Sequence, residues 1–343
     1  MGESRRGGCG LILRCVVEGE FIDDFSVPRW TGSALRGVFG HVLRRMSCSY
    51  TRRKCDGCDL RGSCLYYFTF ETSPEMKSDA AVGTGLEAVT RPFTFDPLEP
   101  LGGRLFRFAL NLIGERAVGF EAVYFFALAN MGELGIGRDK MKNERRRFKI
   151  SRVAAVNDVR GIEEVVYDGK EYAYGSRSAI VRLEDVRQTA ERVVAAEPRY
   201  VTVNFETPTM LVYDGRVADR LDFHMIIRNL ARRYSLAAEY LVRSWRPLSA
   251  EEAKEIIDTS AAVKTVDCKL KPSFSSKFSL ERLKRERYGP FYRGTATYMF
   301  PDEFWRSERA VDALTLLALG RYMHVGKLAT AGYGKISFAF RVF

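Results

Sequence analysis

Apolar and polar positions along the chain follow two successive series, and each series predicts the same order of elements. Residues 11–17 (LILRCVV) read as a first strand, followed by a loop containing Pro28. A helix is predicted from Thr31–Ser33, whose hydroxyls stand where a first turn is capped, to about Met46. At about 100° per residue, Leu35, Val38, Phe39, Val42, Leu43 and Met46 share one arc. The opposite arc carries Arg36, Gly37, Gly40, His41, Arg44 and Arg45. In residues 105–112 the positions Phe106, Phe108, Leu110 and Leu112 alternate with Arg107, Ala109 and Asn111, a strand of period two. A helix over 120–134, strands over 148–156 and 178–183, and a helix over 184–195 complete the first series.

The second series opens after a boundary near Glu197–Arg199. It predicts a strand over 200–211 that is broken by Pro208, and a long helix over 223–242 with Phe223, Ile226, Ile227, Leu230 and Tyr234 on its apolar side. Strands near 261–270 and 290–300, a helix over 311–323 and a final strand with Ile336, Phe338, Phe340 and Val342 follow. Two β-α-β-β-α-β runs imply an α+β protein of tandem ferredoxin-like (RRM-like) domains, residues 1–197 and 198–343. No sequence repeat accompanies them, so the inference rests on element order.

Composition fits two globular domains: 343 residues, 46% hydrophobic and 28% charged. No apolar run approaches the ~18 residues of a membrane span. The opening MGESRRGGCG lacks the apolar core of a secretory signal, so a cytoplasmic protein is expected. The formal charge of +11 changes the picture more, because it is uneven. Six Lys/Arg face two acids over 44–61, seven face two over 138–149, and nine face three over 264–293. Such segments favour a polyanionic partner, nucleic acid before an anionic membrane.

Seven cysteines in a chain read as intracellular argue against a disulfide framework. Cys9, Cys15 and Cys268 stand apart; the rest form Cys48-x6-Cys55-x2-Cys58-x5-Cys64, within a small insertion at about 48–64. Four thiolates at that spacing, with Gly57 allowing a tight turn, suit a structural zinc, and an iron–sulfur cluster uses the same ligands. Four protein ligands leave no open position for water, which makes a catalytic role for this metal unexpected. Arg52, Arg53, Lys54 and Arg61 on the insertion could meet phosphates. Near the end, residues 324–335 read HVGKLATAGYGK. Gly326, Gly332 and Gly334 could bring backbone N–H groups to a phosphate, with Lys327 and Lys335 adding charge. The alternative is a helix C-cap and a bulged strand entry. The pattern is neither a Walker A loop nor a dinucleotide fingerprint.

Taken in order, SALRGVFGHVLRRMSC, CDGCDLRGSCLYYFTFE, TVNFETPTMLV, DFHMIIRNLARR and HVGKLATAGYGK resemble the CRISPR-associated repeat-RNA-processing endoribonucleases of the RAMP superfamily, in a version with a cysteine-rich insertion. The resemblance spans nearly the whole chain. It implies tandem ferredoxin-like domains, a glycine-rich loop that grips RNA, and cutting of the repeat transcript into guide RNAs without a catalytic metal. It further implies attack of a ribose 2′-hydroxyl on the adjacent phosphorus, giving a 2′,3′-cyclic phosphate, with a base, an acid and a cation assisting. Three histidines are available. His41, on the basic arc of the first helix where the family places a catalytic histidine, is the first candidate; His324 beside the glycine loop is the rival, and His224 reads as a first-turn residue. Arg36, Arg44, Arg45 and Lys54 join the loop residues as expected RNA contacts. The expected partners are repeat or guide RNA and other CRISPR effector subunits. The competing reading is a RAMP subunit that holds guide RNA without cutting it.

Overall fold

In the computed structural model, the first alternating segment becomes β1 (Ile12–Phe21), with Leu13, Cys15, Val17 and Phe21 buried on one face. The structure describes residues 12–22, 31–50, 55, 57–71, 90–138, 145–173, 175, 178–279 and 284–341. The chain continues through α1 (Gly32–Ser47), β2 (Phe93–Gly102), β3 (Leu105–Ile113), α2 (Glu121–Leu134), β4 (Phe148–Asn157) and β5 (Ile162–Tyr167). The strands form one sheet in the order β2-β3-β1-β4-β5, with every neighbouring pair antiparallel. The first four are arranged as in a ferredoxin-like sheet, and β5 adds an edge. Phe39 of α1 centres the core, with ring centroids 5.2–5.9 Å from Phe70, Phe93, Phe95 and Tyr124.

The opposite side of this sheet carries a polar row. Arg14 donates to Asp96 at 2.8 Å and to Asn111 Oδ1 at 2.9 Å, and Asn111 Nδ2 donates to Thr94 Oγ1 at 2.9 Å. Asp96, Asn111 and Thr94 are buried. Three strands are thereby tied together by side chains as well as by their ladders.

The second unit has the same plan. After α3 (Leu183–Ala196) come β6 (Tyr200–Thr209), α4 (Phe223–Tyr240), α5 (Ala250–Ala261), β7 (Lys264–Ser279), β8 (Lys284–Met299), α6 (Ala310–Met323) and β9 (Ile336–Arg341). The sheet order is β7-β8-β6-β9, again antiparallel throughout. Its core holds Val201, Val203, Phe205, Phe223, Ile226, Ile227, Leu230, Tyr298, Leu317 and Ile336. β8 pairs with β6 only over Tyr292–Met299, whereas β7 and β8 stay paired from Lys264↔Met299 to Ser279↔Lys284. The far end of this hairpin is therefore a two-stranded ribbon.

Several elements differ from the sequence expectation. The boundary falls at Asp185/Val186 instead of 197/198, because Ala190, Val193 and Val194 of α3 pack into the second core. Residues Ser235–Pro247 group with the first unit. The strand expected over 178–183 is reduced to a single bridge, Ile12↔Val181, and α3 begins at Leu183. β2, β5 and α5 were not expected. β2 contains Pro97 and Pro100, which an edge strand accepts where its register shifts. Among the described residues no helix is long and apolar enough to cross a membrane.

Candidate functional site

The face of α1 opposite the core presents His41 and, one turn on, Arg45; both are exposed. Leu35, Val38, Phe39, Val42 and Leu43 are buried beneath them. Three details depart from the predicted arcs. Gly40 is buried, and a Cβ there would lie 2.9 Å from the Phe70 ring. Met46 is 44% exposed. The Thr31 hydroxyl makes no cap and instead accepts the Leu98 N–H at 3.0 Å. Arg44 and Arg45 lie in the last turn, where cations suit the helix dipole.

Arg36 and Arg44 are directed onto aromatic rings. The Arg36 guanidinium lies 5.1 Å from the Phe70 centroid and that of Arg44 5.5 Å from Tyr66, while Tyr66 and Phe70 stack at 5.4 Å. Phe70 belongs to the π-helical stretch Tyr67–Glu71 and Tyr66 immediately precedes it; Glu71 accepts the Tyr66 hydroxyl at 3.1 Å. Burial, reinforced by Glu71, pushes the Tyr66 phenol up to about 12. Burial lowers Arg36, against the pull of Tyr66 and Glu71, and lowers Arg91, with Arg36 adding to the effect. Arg91, Tyr66 and Glu71 escaped the sequence reading because no motif marks them. Lys54, with Arg52 and Arg53, lies outside the described residues.

Cys48, Cys55, Cys58 and Cys64 are all half-buried. The Cys58 N–H donates to the Cys55 carbonyl at 3.1 Å across Gly57, whose φ is +74°, and the Cys64 N–H donates to Leu60 at 2.9 Å. Burial raises the Cys55 thiol, with Glu71 adding and Arg44 opposing. Among the described residues no group of three or more His, Cys, Asp or Glu side chains is gathered closely enough to hold a metal ion. The donor set suits a thiophilic metal.

The glycine-rich loop of the second unit is turned inward. Gly326, Gly332 and Gly334 are buried, with φ of +81°, +80° and +73°. A Cβ on Gly326 would lie 2.2 Å from the Met210 carbonyl oxygen, and one on Gly334 1.7 Å from that of Val325. The loop's N–H groups are largely committed to the protein. Gly326 donates to Asn229 Oδ1 (2.8 Å), Lys327 to Met210 (3.0 Å), Gly332 to Ala329 (2.9 Å), Gly334 to Pro208 (3.1 Å) and Lys335 to Thr207 Oγ1 (2.8 Å). Arg233, one turn after Asn229 on α4, donates to the Met323 carbonyl at 3.3 Å and to that of Gly326. Asn229 and Arg233 thus hold both sides of Gly326. Lys327 is exposed, and Lys335 is paired with Glu206 at 2.8 Å.

His324 caps α6 in the left-handed region, is fully buried, and places Nδ1 3.1 Å from the Tyr333 carbonyl. That packing makes it part of the loop's frame, unlike the reacting group expected of a rival to His41. His224 is half-buried, edge-on to Tyr213 at 5.4 Å, and burial lowers its pKa. Of the three histidines, His41 alone is exposed. With Arg45 on the same face, it offers a proton acceptor beside a fixed cation.

Residues 11–179 match a family model described as an N-terminal domain, and residues 203–336 match that of the CRISPR-associated endoribonuclease Cas6. An uncharacterized protein of Archaeoglobus fulgidus is 24% identical over 323 residues, 92% of this chain and 93% of the relative. A Cas6 of Thermus thermophilus superposes with a TM-score of 0.55 at 15% identity, covering 97% of this chain and 100% of that one. A Cas6 product complex gives 0.55 at 16%, covering 96% and 99%. These two structures share the tandem ferredoxin-like fold described above.

Proposed function

We propose a repeat-RNA endoribonuclease, starting from the premise that this chain is a Cas6-type protein. The observation that carries the reading is the Cas6 match over 203–336, which runs from β6 through the glycine-rich loop into β9. The exposed His41 on a basic helix face supports it. In the proposed reaction His41 accepts the proton of a ribose 2′-hydroxyl, the 2′-oxygen bonds to the adjacent phosphorus, and the bond from phosphorus to the 5′-oxygen breaks. The 5′-oxygen takes a proton from a general acid as it leaves, and the products are a 2′,3′-cyclic phosphate and a 5′-hydroxyl. Arg45 stabilises the added charge on the phosphorane. The nucleophile belongs to the substrate, so neither water nor a metal ion is required for this step. Repeat RNA binds through Arg36, Arg44, Arg45, Lys54, Lys327, Lys335 and the basic β7–β8 hairpin, in the cytoplasm.

The glycines of the loop shape it, and their N–H groups are largely committed; Lys327 supplies the outward charge. Cys48, Cys55, Cys58 and Cys64 would hold a structural zinc as four thiolate ligands, which would cross-link the two ends of the insertion. Other CRISPR proteins are proposed partners, since one similar chain belongs to a partial Cas6-RT-Cas1–Cas2 complex, with a TM-score of 0.51 at 10% identity over 97% of this chain and 46% of that one.

The test is single-turnover cleavage of repeat RNA with a chelator present. Cleavage should disappear when the 2′-hydroxyl at the cut is replaced by hydrogen, and His41→Ala should lose about 10²–10⁴-fold in rate while retaining RNA affinity. Wild-type rates in His41→Ala would remove His41 from the reaction. A second reading, a subunit that holds guide RNA without cutting, is favoured by the burial of His324 and half-burial of His224, which leave one accessible histidine. Stoichiometric RNA binding with no cleavage would select it.

A further inference from the structure

With its glycines packed inward, the loop offers RNA its outward side chains, and one of these is held in an unusual state. Leu328 follows the exposed Lys327, has a φ of +64° and is 44% exposed. A residue with a Cβ adopts this conformation at a cost, and Leu has no short polar group to offset it. Its surroundings dictate the geometry. The Lys327 N–H is fixed to Met210, and the Leu328 carbonyl accepts the Ala331 N–H at 2.9 Å to start the short 3₁₀ turn Ala329–Ala331. Gly326, two residues earlier, is gripped by Asn229 and Arg233. An apolar side chain is thus held partly in solvent, beside a cation, on a tip whose base is rigid. Strain maintained by its neighbours in this way is a marker of functional positions.

We propose that Leu328 is an RNA contact that packs against the face of an unpaired base while Lys327 meets the neighbouring phosphate. The proposal rests on the RNA-binding reading above and adds to it an apolar contact. Every base has an apolar face, so Leu328 would bind with little sequence preference, as stacking side chains do.

The test compares wild type, Leu328→Asn, Leu328→Gly and Lys327→Ala in the full-length chain, using unstructured repeat RNA over a range of salt concentrations, with thermal unfolding in parallel. Asn and Gly accept the left-handed conformation, so the melting temperature should not fall. Affinity should fall about five- to tenfold, as expected for losing part of a leucine's buried surface. The salt dependence should match wild type, because no charge is lost, whereas Lys327→Ala should lower its slope by roughly 0.7. Unchanged affinity in both Leu328 variants overturns the proposal. So does a loss of affinity that tracks a lower melting temperature, which would make Leu328 a packing residue. Failure of the wild type to bind any repeat RNA sinks the RNA-binding reading itself, and this proposal with it.

Discussion

Arg233 is the point at which the loop can be loosened without touching any residue proposed to meet RNA. Replacing it with Met keeps much of the side-chain volume and removes two charged donors, one to the Met323 carbonyl and one to the Gly326 carbonyl. A hydrogen bond from a charged donor contributes roughly 1.5–3 kcal/mol, and the 3.3 Å bond to Met323 belongs at the low end. Part of that gain is already offset, because burial, with Arg232 adding to it, pushes the guanidinium down to about 10. It remains charged at neutral pH. The expected net loss for Arg233→Met is about 2–3 kcal/mol in urea unfolding, with faster amide exchange at Gly326. Asn229→Ala alone should cost about 1 kcal/mol. Because both residues hold Gly326, the double variant should lose measurably less or more than the sum, with a coupling of at least about 0.5 kcal/mol. If Arg233→Met costs under about 0.5 kcal/mol and leaves exchange at Gly326 unchanged, the grip on the loop lies elsewhere.

Three further outcomes are expected. Asp96→Ala removes the carboxylate partner of the half-buried Arg14 and should cost about 3–5 kcal/mol by denaturant unfolding, while a loss under about 1 kcal/mol would show that the row contributes little. His224 has a folded pKa below its ordinary 6.5, so its contribution is fully present above that value and is lost as pH falls through the folded pKa. His224→Gln should flatten the acid limb of the stability curve, and an unaltered limb would contradict this. Zinc added to metal-free protein should bind stoichiometrically and protect the insertion from proteolysis, both effects vanishing in Cys55→Ser. A visible charge-transfer band in freshly purified protein would point instead to an iron–sulfur cluster.

What could be read beforehand followed from which physical signal each segment carries. Strands and helices with one buried face announced themselves: Leu13, Cys15 and Val17 in β1, and Leu35, Val38, Phe39, Val42 and Leu43 in α1. β2 did not, since it contains Pro97 and Pro100, which only its edge position makes tolerable. The outer part of the β7–β8 hairpin lies beyond β6, so strand alternation had no core against which to register there. α5 was missed although Ser249 and Glu252 form a capping box at its start, a signal available in the sequence. At the candidate site, the cationic face of α1 could be read from its periodicity, but the direction of the glycine loop could not. Whether Gly326 turns its N–H toward a ligand or toward Asn229 depends on α4, about a hundred residues away in the chain. His324 is the same case: its burial is set by packing that no local pattern encodes.

The polar row across β1, β3 and β2 has a consequence for how the first sheet assembles. Sliding β3 by one residue would turn its apolar face outward, an error that hydrophobicity alone prevents. Sliding it by two would preserve the inside–outside pattern and go undetected by the core. In that frame Arg14 would face Ala109 or Ile113 instead of Asn111, and Thr94 of β2 would lose the same partner. A half-buried cation and the buried Asp96 carboxylate would lose that amide and face alkyl groups in its place. The row therefore works as a key that admits one frame among those the apolar residues would accept, and it fixes where the ends of β1 leave the sheet to begin α1.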